Sequence, residues 1–163
     1  MKEEITIRKM KRSDLKRVLE IFGEGIEDGR STFRTKTPSK RAWDKSHCEV
    51  CRLVAEKDGR VVGFAAISPY SARKEYSGVG ETSIYFCREA RYKGYGKKLM
   101  AALISESEAA GFWSLTSSVF STNDASIGLH KDLGFREIGY RERLAQDRFG
   151  KWLNVTVFER RTK

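Results

Sequence analysis

Between Glu81 and Lys98 the chain reads ETSIYFCREARYKGYGKK, and the residue types there are those of an anion site. Gly94 and Gly96 bracket one residue, Tyr95, and a strong helix former (LMAALISESEAAG) runs on from Leu99. Two glycines let the backbone take positive φ and leave room for a ligand to approach the main chain. A helix that opens there turns unpaired N–H groups and a positive dipole end outward. Arg91, Lys93, Lys97 and Lys98 surround that point, so a pyrophosphate is the natural guest. The spacing excludes a P-loop, which needs four residues between its glycines and a Ser or Thr after the lysine. A dinucleotide fingerprint fails as well, because Leu99 stands where a third small residue belongs. The plainer alternative is a glycine-relaxed turn among solvated lysines.

Two other clusters carry potential chemistry. Ser126 and His130 are four apart, so they share one face of a helix. An imidazole near its ordinary pKa of about 6.5 can protonate a thiolate, or it can be a packed, hydrogen-bonded helix residue. Cys48-Glu49-Val50-Cys51, with His47 beside it, invites a metal. A structural zinc site wants four ligands, and the sequence has no second CxxC and no spaced histidine pair. A redox CxxC belongs at a helix start after a strand, whereas this one precedes a hairpin. Two buried or half-buried thiols and no metal are the expectation.

The elements that must position these residues follow from periodicity. Ile5–Ile7 reads as a first strand. Ser13 is a good N-cap, and Leu15, Val18, Leu19, Phe22 and Ile26 recur at helical spacing to about Asp28, where Gly29 ends the helix. Residues 30–50 are polar, carry Pro38 and allow one short helix around residues 40–45. The runs 52–56 and 61–67 form a hairpin around Asp58-Gly59. A second polar loop, 69–80, contains Tyr70, Arg73 and Tyr76. Beyond the central strand and helix, Trp113–Phe120 alternates as a strand, and a helix starting at Asn123 or Asp124 reaches Leu133, with Gly134 closing it. Residues 135–143 and 152–159 are final strands joined around Phe149-Gly150. That order predicts an α/β fold, a mixed sheet with helices on its faces. No repeat or Ser/Pro linker divides it, so residues 1–163 read as one domain.

Composition limits the function. A chain of 163 residues can bury roughly two-thirds of its unfolded surface. No apolar run is long enough to span a membrane and no signal segment opens the chain, so a soluble, cytoplasmic protein is expected. Three cysteines are too few for a disulfide framework. The formal charge of +10 admits three explanations: a nucleic-acid surface, simple solubility, or steering of a polyanionic small molecule. The basic residues are scattered and no RNP-like strand or helix-turn-helix accompanies them, which disfavours nucleic acid.

The spacing Arg91-x-x-Gly94-x-Gly96 after a strand resembles the pyrophosphate loop of the GNAT N-acetyltransferases. The segment Asn123-Asp124-Ala125-Ser126 through His130 to Gly134-Phe135 resembles a second recurrent GNAT element, in the right order and topology. Four further blocks are similar to the phosphinothricin and methionine sulfoximine N-acetyltransferase branch: Ser31–Thr35, Ser71–Tyr76, Glu81–Tyr85 and Phe149–Trp152. The likeness runs over nearly the whole chain. It departs at residues 40–50, which are shorter than in that branch, and at Phe149, where some members carry His.

The resemblance implies the GNAT acyl-CoA N-acyltransferase fold and transfer of acetyl from acetyl-CoA to the α-amino group of a small amino-acid analogue. It also implies a homodimer whose pocket the neighbouring subunit completes. Glu81 matches the family's general base; its alternative is a strand-end glutamate in solvent. The backbone of Ile84, Tyr85 and Phe86 is expected to splay from its neighbour, pair with the pantetheine amides and offer an N–H to the thioester oxygen. Gly94, Tyr95, Gly96, Lys97 and Lys98 would hold the pyrophosphate, with Arg91 at the rim and Asn123 and Ser126 on the pantetheine arm. For Asn123, a plain N-cap is the alternative. His130 stands where many relatives place a tyrosine proton donor. Arg34, Arg73 and Tyr76 are candidates to bind an acidic acceptor, because Arg forks match carboxylate and phosphinate oxygens. Phe33 would wall the pocket. Rival readings are a GNAT acting on a protein N-terminus or polyamine, and a binding module without turnover.

Overall fold

A helix through Leu15, Val18, Phe22 and Ile26 buries one stripe and leaves Lys16 and Glu20 outside. In the computed structural model, which describes residues 4–162, this helix is α1 (Leu15–Asp28), entered through one 3-10 turn (Arg12–Asp14). Ser13 does not cap it. The Asp14 carboxylate secures the entry instead, accepting the Lys11 N–H at 2.6 Å and both Arg8 nitrogens at 2.8 and 2.9 Å. A charged, forked contact of this kind outcompetes a hydroxyl. Arg8 also draws the Asp14 carboxyl below the usual range.

Seven strands form one sheet. In chain order they are β1 (Thr6–Lys9), β2 (Leu53–Lys57), β3 (Arg60–Pro69), β4 (Val79–Phe86), β5 (Ser114–Phe120), β6 (Arg136–Gln146) and β7 (Trp152–Arg161). Their order across the sheet is β1-β2-β3-β4-β5-β7-β6. The β2–β3 turn carries positive φ at both Asp58 (51°) and Gly59 (76°), the twist that a two-residue hairpin requires. Three more α-helices lie among the described residues: α2 (Lys40–Ser46), α3 (Tyr95–Ala109) and α4 (Asp124–Asp132).

Strand alternation decides which helix covers which face. Phe64 and Tyr85 are register partners in β3 and β4, and both rings meet Phe22 of α1. Phe86, one residue on, points the other way, toward Tyr95 of α3. On that second face α4 sets His130 against Phe158 of β7. Val18, Ile21, Val54, Leu99, Met100 and Leu103 lie fully buried between the layers. Among the described residues no helix packs on the β5–β7–β6 half of the first face, and Trp113, Ile138, Tyr140, Leu144 and Trp152 remain exposed on this part of the molecule.

Every neighbouring pair of strands is antiparallel except β4 and β5. Those two pair in parallel only at Val79, Gly80 and Glu81, opposite Ser114, Leu115 and Thr116. Beyond Glu81 they part. β4 stays zipped to β3 through Phe86, and β5 to β7 through Phe120. A crevice therefore opens through the sheet, lined on one side by unpaired backbone groups of β4.

Candidate active site

Two cavities meet at the opening. The first, of about 540 Å³, is floored by β4 and the mouth of α3. Gly94 precedes α3 with φ +82°, a conformation in which any Cβ is strained, so the turn depends on glycine. α3 then starts at Tyr95, and its first N–H groups have no helical partner. Ile84, Tyr85, Phe86, Arg91, Gly94, Tyr95, Gly96, Lys97, Asn123 and Ser126 all line this cavity, which unites nearly the whole expected cofactor set. Close packing makes the arrangement possible, because a Cβ on Gly63 of β3 would lie 2.5 Å from the Phe86 ring.

Lys98 is the exception. Its ammonium donates to the Ile5 carbonyl at 2.8 Å, away from the cavity, because residue 98 lies round the helix from residue 97. Arg91 stands at the rim but is already engaged: it donates to the Phe86 carbonyl at 3.0 Å and pairs with Asp28. Arg88 and Arg91 together hold the Asp28 carboxyl below its ordinary range. These pairs tie the end of α1 to the loop that carries the glycines.

The second cavity, of about 390 Å³, lies across the parted strands. Phe33, Arg34, Glu81, Ile84, Tyr85, Asn123, Ser126 and His130 line it. Ile84, Tyr85, Asn123 and Ser126 line both cavities, so they mark the junction. Glu81 is exposed at the last paired position of β4, where the crevice begins, and its carboxylate is unpaired among the described residues. Tyr85 sits with its phenol between Ser31 and Thr32, and burial pushes its pKa up. Asn123 caps α4, its side-chain oxygen accepting the Ser126 N–H at 3.2 Å, while still facing the junction.

His130 is 1% exposed. Its Nδ1 lies 2.6 Å from the Ser126 carbonyl, which can only accept, so Nδ1 carries the ring proton. Nε2 is buried without a partner, and burial pulls the pKa below 6.5. The ring stacks on Phe158 at 5.4 Å.

Arg73 and Tyr76 fall outside this cavity. The turn Lys74–Tyr76 and the Pro69–Gly80 pairing carry their loop to the other side, where Tyr76 packs against Tyr70 and lines a separate cleft. Glu81 also borders that cleft. Trp43, Ser46, His47, Ser117 and Leu144 line the second cavity without having been singled out for it in the sequence. Only His47 had a signal, its place beside the CxxC. The thiols there are free. Cys51 is buried and pushed up to about 11 by desolvation, and half-buried Cys48 is raised for the same reason. Neither is a reactive thiolate at neutral pH.

The model of the Acetyltransferase (GNAT) family matches residues 15–135, and the chain belongs to that family. It is 30% identical to a phosphinothricin N-acetyltransferase of Streptomyces viridochromogenes, over 96% of this chain and 87% of that one. It is 29% identical to an L-methionine sulfoximine/L-methionine sulfone acetyltransferase of Pseudomonas aeruginosa, over 90% and 88%. A phosphinothricin acetyltransferase from Sinorhizobium meliloti, solved in complex with acetyl-CoA, superposes with a TM-score of 0.89 at 29% identity, covering 99% of this chain and 89% of that one. An acetyltransferase fold and activity are thus established at the level of the family.

Proposed function

We propose that the protein transfers the acetyl group of acetyl-CoA directly to the amino group of a small amino-acid-like acceptor of the phosphinothricin or methionine sulfoximine kind, in a ternary complex. One observation carries the reading: two cavities, one with a helix mouth for phosphate and one with a carboxylate, join where β4 and β5 part. The α3 N–H groups, Lys97 and Gly94 hold the diphosphate of acetyl-CoA. The free backbone edge of Ile84–Phe86 binds the pantetheine arm and directs one N–H at the thioester oxygen. Arg34 takes the acceptor carboxylate.

Glu81 receives the proton of the acceptor ammonium, directly or through a water. An α-amine with pKa near 8 costs only about 1.4 kcal/mol to deprotonate at pH 7, so one carboxylate is enough. The amine nitrogen then attacks the thioester carbonyl, the N–C bond forms, the nitrogen gives up its second proton to water, the C–S bond breaks, and CoA leaves as a thiolate that solvent protonates. We assign His130 to packing, not to donating this proton. Its one ring proton is held by the Ser126 carbonyl. Holding both reactants against the same strand supplies several kcal/mol of the barrier reduction.

We further propose one domain over residues 1–163, a cytoplasmic setting that suits three free thiols, and a symmetric dimer through the helix-free half of the sheet. In such a dimer the cleft beside Glu81, with Tyr76 in it, would face the partner. An acceptor screen followed by release of free CoA thiol tests the reaction. Phosphinothricin and methionine sulfoximine should release thiol at rates well above those for polyamines and N-terminal peptides. The reverse order overturns the substrate class, and no thiol release with any amine overturns turnover itself.

A further inference from the structure

One wall of the acceptor cavity comes from Trp43, Ser46 and His47, within residues 40–50, the stretch in which this chain departs from the branch it resembles. Ser39 caps α2, its hydroxyl accepting the Ala42 N–H at 3.1 Å, and α2 then places Trp43, Ser46 and His47 on the cavity. His47 Nδ1 lies 2.7 Å from the Trp43 carbonyl and 3.0 Å from the Ser46 hydroxyl. A carbonyl only accepts, so Nδ1 carries the hydrogen and Nε2 of the neutral ring is a bare lone pair. No group among the described residues pairs with that nitrogen.

The ring is held in place from below. It stacks on Trp43 with centroids 4.0 Å apart and planes 17° from parallel, and Trp43 itself is 2% exposed. Arg52 fastens the whole segment. It donates to the Cys48 carbonyl at 2.6 Å, to the Asp44 carboxylate at 2.6 Å, and to the Asp44 and His47 carbonyls at 3.0 Å each. Its guanidinium lies 5.2 Å from the Trp43 ring centroid. Burial pulls the His47 pKa down against the hydrogen bond to Trp43, and the charges of Arg52 and Arg34 add to the fall.

We propose that Nε2 of His47 reads the far end of the amino-acid acceptor by accepting a side-chain N–H, so that this enzyme discriminates a donor-bearing side chain from its all-acceptor isostere. Methionine sulfoximine and methionine sulfone are such a pair. They differ by one N–H in place of one oxygen, and a sulfone offers Nε2 only lone pairs. The inference rests on the reading of the site as an amino-acid N-acetyltransferase.

Steady-state thiol release with the two acceptors tests it in wild type, His47→Ala and His47→Gln. Wild type should favour the sulfoximine in kcat/KM by about five-fold or more, the worth of one neutral hydrogen bond. His47→Ala should bring the ratio near one by raising the sulfoximine KM, with the acetyl-CoA KM unmoved. His47→Gln should keep both acceptors at similar rates, because an amide presents either an N–H or an oxygen. A ratio that His47→Ala leaves where it was overturns the inference alone. Wild type that prefers the sulfone does the same. Wild type that acetylates neither overturns the inference together with the proposed substrate class.

Discussion

The two cavities that meet at the unzipped strands are built by different means. The larger one recruits backbone: a glycine at φ +82°, the first turn of α3 and the free edge of β4. These come from one continuous stretch, so the local sequence that makes the turn also makes the binding surface. The smaller one recruits side chains from α1, α2, β4, β5 and α4, brought together across more than a hundred residues. Backbone recognition suits a ligand whose phosphates are always the same. Side-chain recognition suits an acceptor that differs from enzyme to enzyme, because side chains change without refolding the strand beneath them. The difference teaches that one half of the site is fixed by local backbone geometry and the other by side chains gathered from distant segments.

Three experiments press on that contrast, beginning where the effect is largest. Glu81→Gln, at the start of the crevice, should lower kcat by about 10²–10⁴-fold while leaving acetyl-CoA affinity intact, as read by thiol release and by titration with acetyl-CoA. Unchanged turnover from pH 6 to 9 would remove Glu81 as the base. Next come two substitutions that should separate the halves. Gly94→Val forces a β-branched residue into positive φ and should raise the acetyl-CoA KM about ten-fold, with the acceptor KM little changed. Arg52→Met releases the α2 wall and should do the opposite, raising the acceptor KM by about ten-fold while the acetyl-CoA KM stays within about two-fold. If either substitution moves both constants together, the two halves are not independent.

The smallest effect concerns His130. Its folded-state pKa is depressed, so the unfolded chain takes up the proton first as pH falls. The stability that the neutral ring contributes is therefore present above about pH 6.5 and declines below it. Thermal melts between pH 8 and 5 should show a falling Tm, and His130→Phe should flatten part of the slope. His47 shares the sign and keeps the remainder. Asp14 and Asp28, whose carboxyls are depressed, lose their contribution only below about pH 4, a separate window. An identical slope in His130→Phe would mean that the imidazole titrates alike in both states.

Local signals were enough for much of the molecule. The Asp58-Gly59 turn, the glycine stop of α1, the short helix around residues 40–45 and the order of strands and helices were readable because each depends on neighbours within a few residues. Where two residues compete for one role, proximity in sequence does not decide. Ser13 looked like the cap of α1, yet Asp14 holds the entry because Arg8 on β1 reaches it. Lys97 and Lys98 are adjacent in a basic run, yet one lines the cavity and the other spends its charge on the Ile5 carbonyl. Arg73 and Arg34 both looked suited to a carboxylate, and only the path of the β3–β4 loop separates them.

Residue type and spacing alone therefore determined the glycine turn ahead of α3 and the mixed sheet. Those features rest on φ preferences, helix termini and period-two alternation, which act over a few residues. Tertiary structure decided where β4 leaves β5, which basic residues remain at the mouth, and that both histidines commit Nδ1 to a backbone carbonyl. Such matters are settled by contacts between segments far apart in the chain, and no window of sequence contains both partners.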